Sequence, residues 1–250
     1  MPDLITTALA LPGLWWLVAA IVAAGLVRGF TGFGSALIIM PVASSVLNPF
    51  AALAFLTVVE FWGPLPNLPA ALRIGAPREA ARLLIGAAVG LPLGLWALSM
   101  LDPEIFGWSV SVIVLIMLAM VISGWRYSGT LRPAGVVGVG SVGGFLGGIA
   151  GVPGPPVIML YMASSLPIAV IRANFLLYLL GIDLLMLGWF VSMGLLDVLA
   201  ITLGLLCVPL YMCANVLGAW LFDPKAERLF RALAYIVIAA AAIVGLPLWS

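Results

Sequence analysis

Long apolar runs, each near the roughly 20 residues that cross a bilayer as a helix, follow one another from residue 14 to residue 248 with short polar interruptions. The first run covers 14–27 and leads into the glycine-rich stretch Arg28-Gly-Phe-Thr-Gly-Phe-Gly-Ser35. A shorter apolar piece, 36–47, stops at Asn48-Pro49. A second span, 50–63, ends in the proline-rich 63–69, and a basic loop with Arg73, Arg78 and Arg82 follows. Spans at 83–100 and 105–124 flank a turn with Asp102 and Glu104, and Arg126 and Arg132 lie in the next loop.

The second half repeats this order. A run at 134–145 leads into Gly147-Gly-Ile-Ala-Gly-Val-Pro-Gly-Pro-Pro156, and the piece 157–165 stops at Leu166-Pro167. Spans at 168–193, 198–222 and 232–248 enclose a turn with Asp197 and a loop with Lys225, Arg228 and Arg231. Sliding the first half by 119–120 residues brings Gly29, Gly32, Ile39 and Met40 onto Gly148, Gly151, Ile158 and Met159, and one residue of slip matches Ser44-Ser45 to Ser164-Ser165. A duplicated transporter half gives such a pattern. The predicted fold is an all-α polytopic membrane protein, one membrane domain over 1–250. Its repeats, 1–124 and 125–250, each hold a broken or re-entrant helical hairpin followed by three transmembrane helices.

Composition narrows the function classes. The chain is 65% hydrophobic and 8% charged, against about 25% charged in a soluble domain, so no soluble domain is expected. The first run lacks a basic leader and a small-x-small cleavage site, so it reads as a retained span. A net charge of +1 gives no reason to expect nucleic acid. Cys207 and Cys213 lie six apart in one apolar run, without metal or redox spacing. The absence of histidine removes His-ligated haem, His-based zinc hydrolysis and Ser-His or Cys-His nucleophiles. No catalytic residue, metal or cofactor is expected, and the chain does not read as an enzyme.

Charge also predicts topology. Eight of the ten basic residues fall in the loops 67–82, 125–133 and 223–231, which the positive-inside rule assigns to the cytoplasm. The acidic turns at 101–104 and 194–197 then lie outside. The pair 134–165 leaves from and returns to the inside, and the pair 14–47 starts and ends outside. The hairpins therefore enter from opposite faces, the repeats are inverted and both termini are outside. The alternative makes every hairpin arm a full span in a parallel duplication.

A broken helix leaves backbone N–H and C=O groups unpaired, which lipid does not tolerate unless protein buries them or they line a polar cavity. Glycine permits positive φ, and Pro153, Pro155 and Pro156 remove donors and block helix continuation. The helix that restarts after each break presents its positive end to the break, and two such ends near the bilayer midplane make an anion site. Thr31, Gly32, Gly34 and Ser35 in the first break and Gly151 and Gly154 in the second are candidate binding positions. The competing reading is close helix packing through small residues.

Four charged residues fall outside the polar loops: Arg28, Glu60, Arg172 and Asp183. Charge at membrane depth marks function by default. Arg28 and Arg172 either snorkel to the interface or bind an anionic head bidentately. Asn174 does not share a helical face with Arg172 and joins the site where the backbone is irregular. Tyr161 and Tyr178 are hydroxyl donors or packing residues. Burial favours the neutral form of a carboxyl group, so Glu60 and Asp183 are candidates for proton coupling; otherwise they neutralise the arginines of an empty site.

At the breaks the sequence resembles the TauE/SafE family of sulfite and organosulfonate exporters, also called the 4-toluene sulfonate uptake permease family. The stretch Gly29-Phe-Thr-Gly-Phe-Gly-Ser-Ala-Leu-Ile-Ile-Met-Pro41 carries the resemblance in the first half. In the second, Gly144-Phe-Leu-Gly-Gly-Ile-Ala-Gly-Val-Pro-Gly-Pro-Pro-Val-Ile158 and Arg172-Ala-Asn174 carry it. The family pattern, Gly-x-Gly-Gly-Gly and a later proline, is incomplete: the first copy reads Gly32-Phe-Gly34-Ser-Ala with Pro41 following, and the second reads Gly151-Val-Pro-Gly-Pro-Pro. The resemblance implies transport of a small, often sulfur-containing anion across a bacterial inner membrane, with the lipid bilayer as surrounding partner. An anion channel and a carrier of a non-sulfur carboxylate are the alternatives. Coupling to a proton or ion and assembly as a homodimer stay open.

Overall fold

The computed structural model describes residues 2–124, 132–162 and 166–248. Arg126 and the pair Ser164-Ser165 lie outside the described residues. Every described element is helical: α1 Pro2–Leu9, α2 Leu14–Thr31, α3 Ser35–Val46, α4 Pro49–Phe61, α5 Leu68–Ile74, α6 Pro77–Leu98, α7 Pro103–Ile122, α8 Pro133–Ala150, α9 Gly154–Met162, α10 Ile168–Met193, α11 Val198–Leu221 and α12 Glu227–Val244, with short 3-10 turns before α5 and α12. Six of these, α2, α6, α7, α8, α10 and α11, are long and apolar enough to cross a membrane, and α4 with α5 forms a further candidate span bent by 41°. Exposed apolar side chains cover their outer faces, with Trp15 and Trp220 81% and 79% exposed near the ends of α2 and α11. Tryptophan favours such positions at a membrane interface.

The first short arm has the expected length, 12 residues in α3; α9 holds 9 residues starting at Gly154, and 163–165 of the second arm lie outside the described residues. The breaks are narrower than the glycine content suggests. Helix α2 continues through Arg28 to Thr31 and α8 continues through Gly147 and Gly148 to Ala150. Only Gly32-Phe33-Gly34 and Gly151-Val152-Pro153 leave helical geometry, at matching places in the two halves. Gly32, Gly34 and Gly151 hold φ of 80°, 94° and 70°, a left-handed conformation that costs other L-residues roughly 1–2 kcal/mol. The basic stretch 67–82 is also mostly helical, with Arg73 in α5 and Arg78 and Arg82 in the first turns of α6. Proline at the first position of α6 allows that early start, because the missing N–H has no helical partner there.

The chain forms two compact units, and each draws on both sequence halves. The first unit comprises Met1–Glu60, Asp102–Leu118 and Gly194–Ser250; the second comprises Phe61–Leu101 and Ala119–Met193. In the first unit, α2 packs along α11. A Cβ on Gly25 would come 2.7 Å from the Tyr211 carbonyl oxygen, and one on Gly29 would come 2.6 Å from the Ala219 backbone nitrogen. In the second unit, α6 packs along α8. A Cβ on Gly144 would come 2.6 Å from the Ala87 carbonyl oxygen, and one on Gly148 would come 2.5 Å from that of Leu91. Contacts advance together along both helices of each pair, so both pairs are parallel. Lipid supplies little hydrophobic drive for helix association, and small residues admit the backbone contacts that replace it. The glycine-rich stretches thus divide their work: Gly29 and Gly148 pack helices, while Gly32, Gly34 and Gly151 turn the chain.

Candidate functional site

The first unit gathers a polar cluster at its break. Arg28 lies in the last turn of α2, where a cation meets the negative helix end, and Ser35 opens α3. Glu60 lies in the last turn of α4 and faces Arg28. The Arg28 Nη1 atom is 3.3 Å from Glu60 Oε1 and 3.2 Å from Ser35 Oγ. The Ser35 hydroxyl donates to the same Glu60 oxygen. Ser35 and Glu60 are 2% and 7% exposed. The cluster is therefore a sequestered ion pair with a shared hydroxyl.

A fourth member comes from α11. The side chain of Tyr211 is fully buried, and its hydroxyl interacts with Arg28, Glu60 and Ser35 without a geometrically complete hydrogen bond of its own. Nothing in its apolar run singles Tyr211 out. The one available signal is Gly25 in α2, whose missing side chain lets α11 approach at Tyr211. Around the break, the Thr31 hydroxyl bridges the Val27 and Phe33 carbonyls at 2.7 Å each, so its proton serves the break's own backbone. Beside Gly32 there is open space, whereas Gly34 faces Ile238 of α12 and Val27. Pro41 sits inside α3, where its carbonyl packs against Gly245 at the end of α12.

The second break is built differently. The Gly151 N–H returns to the Gly147 carbonyl at 2.9 Å and the Val152 N–H to that of Leu146 at 3.2 Å. Helix α9 begins at Gly154, but Pro155 and Pro156 leave its first turn short of N–H donors. The buried Tyr178 hydroxyl donates to the Pro153 carbonyl at 3.5 Å. Helix α10 is regular through Arg172 and Asn174; Arg172 is exposed and Asn174 fully buried. The Asn174 side-chain oxygen accepts the Ala76 N–H at 2.7 Å, tying α10 to the start of α6. Tyr161, also fully buried, interacts with Asn174. Gly154 faces the Phe175 ring, and Asp183 is half-buried on α10. The structure therefore brings Arg28, Ser35 and Glu60 together in the first unit, and it gives Asn174 a clamp role in the second.

Among the described residues no three His, Cys, Asp or Glu side chains converge as a metal-binding group. Six helices long and apolar enough to cross a membrane, with helix breaks at matching places in the two halves, define the class as a multi-pass membrane protein. The particular family follows from comparison: the family described as Sulfite exporter TauE/SafE matches residues 17–245, and the chain belongs to it. No curated protein and no solved structure gives a match.

Proposed function

We propose that the chain is a secondary transporter of a small anion, sulfite, a sulfonate or a related sulfur-containing acid, across a bacterial cytoplasmic membrane. The observation that carries this reading is the Arg28 guanidinium, on a side chain only 10% exposed, beside Ser35 at the start of α3. A buried arginine at a helix break, next to a helix N-terminus, is an anion-binding arrangement, and its present counter-ion is a side chain. Family membership supports the sulfur-anion class.

The proposed binding positions are Arg28, Gly32, Gly34 and Ser35 at the first break and Gly151 and Gly154 at the second. Arg172 is an exposed accessory cation. Halves 1–124 and 125–250 act as inverted repeats with both termini outside. The parallel packing of α2 with α11 and of α6 with α8 supports this assignment. Under the positive-inside reading, α2 and α11 both start outside, and α6 and α8 both start inside.

Thermal unfolding of the purified protein against sulfite, thiosulfate, sulfoacetate, taurine and simple carboxylates tests the ligand class, because a ligand of the native state raises its stability. Stabilisation by a sulfur anion is expected. Stabilisation by a cation and by no anion overturns the proposal. Counterflow in proteoliposomes is expected, since a carrier exchanges its substrate; its absence alongside anion conductance would make the protein a pore.

A further inference from the structure

The cluster at the first break has balanced charge and an unbalanced hydrogen-bond inventory. Arg28 and Glu60 cancel, and Ser35 donates to Glu60. The Tyr211 hydroxyl is fully buried and interacts with Arg28, Ser35 and Glu60 without a hydrogen bond of complete geometry. A buried polar group of this kind calls for an explanation. Arg28 and Ser35, the donors suited to an oxyanion, are occupied by a carboxylate from the protein itself.

We infer, resting on the anion-transport reading, that Glu60 is a tethered stand-in for the transported anion. Glu60 releases Arg28 and Ser35 when it takes up a proton, and Tyr211 then donates to the arriving oxyanion. The charge balance requires the proton. In the Arg28–Glu60 pair one positive charge meets one negative charge. Adding an anion while Glu60 stays ionised would add a further buried negative charge beside that pair, which a low-dielectric site opposes. With the proton on a Glu60 oxygen, taken from water at whichever face the site opens to, Arg28 pairs with the anion and the site is again neutral. No other bond is made or broken, and one proton accompanies each singly charged anion.

Among the described residues, the groups facing Glu60 include Arg28 from α2, Ser35 from α3 and Tyr211 from α11. From α12, Ile238 contacts the break at Gly34. Among these, Glu60 is the group whose proton can change the pairing of Arg28. Both carboxylate and sulfonate or sulfite heads offer paired oxygens to a guanidinium, so an anion fits the place that the Glu60 carboxylate vacates.

The experiment is calorimetric titration of the detergent-purified protein with ethanesulfonate, which stays ionised throughout and brings no proton. Titrations run at one pH in two buffers of different ionisation enthalpy, then across pH. One proton taken up per anion is expected, with affinity falling about tenfold per pH unit where Glu60 is ionised before binding. E60Q should still bind, with no proton uptake and a flat pH profile, and E60D should restore both. Y211F should weaken binding without changing the proton count. Infrared difference spectra of the wild type should show a protonated-carboxyl band on adding ethanesulfonate, a readout that needs no variant. Binding without proton uptake or that band, or E60Q with the wild-type pH profile, overturns this inference alone. Failure of ethanesulfonate, sulfite and thiosulfate all to bind overturns the transport reading as well.

Discussion

Arg28 and Glu60 stand 32 residues apart in sequence, on α2 and α4, and meet at 3.3 Å with side chains only 10% and 9% exposed. Removing one partner of such a pair leaves a buried charge, which costs roughly 3–5 kcal/mol. R28A is therefore expected to lower the unfolding temperature sharply. R28M/E60L, which removes both charges, should recover most of that stability and still bind no anion. A thermal unfolding series with and without sulfite checks both halves. Anion binding by the double variant would show that the pair is structural only.

The parallel pair α6 and α8 offers a second test. A Cβ at Gly90 would fall on the Ser141 carbonyl, whereas one at Gly138 of α8 meets nothing within 4 Å. Overpacking of this kind costs about 1–3 kcal/mol or more. G90A should destabilise the protein, and G138A should be neutral or slightly stabilising because glycine weakens helices. Equal effects of the two substitutions on the unfolding temperature would contradict the close packing of α6 against α8.

Asn174 separates a structural clamp from a substrate ligand. Its side-chain oxygen holds the Ala76 N–H at 2.7 Å. N174A leaves that N–H without its acceptor, at a cost of about 1–3 kcal/mol. N174D keeps the acceptor oxygen and should lose less stability than N174A. If Asn174 touched the anion, N174D would instead abolish binding by like-charge repulsion, which the calorimetric titration reads directly.

Topology is checked by single cysteines at Asn48 and Pro167, in a background lacking Cys207 and Cys213. A membrane-impermeant thiol reagent is expected to label position 48 from outside and position 167 from inside. Labelling of both from one face would overturn the inverted repeat.

Much of this architecture was legible in the linear order of residues. Apolar runs define spans because a bilayer demands continuous helical hydrogen bonding over its thickness. The matched breaks were visible because glycine and proline act locally on the backbone, and the first short arm, α3, came out at the expected length. Arg28 and Glu60 stood out because charge is rare in an apolar run.

Their meeting was not legible. A helical pattern states which residues share a face on one helix, and says nothing of which helix comes alongside. Tyr211 looked like any aromatic residue of an apolar span until the packing of α11 on α2 brought it to the break. Glycines of the same stretch likewise read alike in sequence, yet Gly29 packs against α11 while Gly32 turns the chain. The helices, their breaks and the residues able to carry charge follow from the order of residues, through local backbone chemistry and the cost of charge in lipid. Tertiary structure alone decided that α11 serves the first break and α6 packs beside the second, because that choice lies in backbone-to-backbone contact between segments distant in the chain.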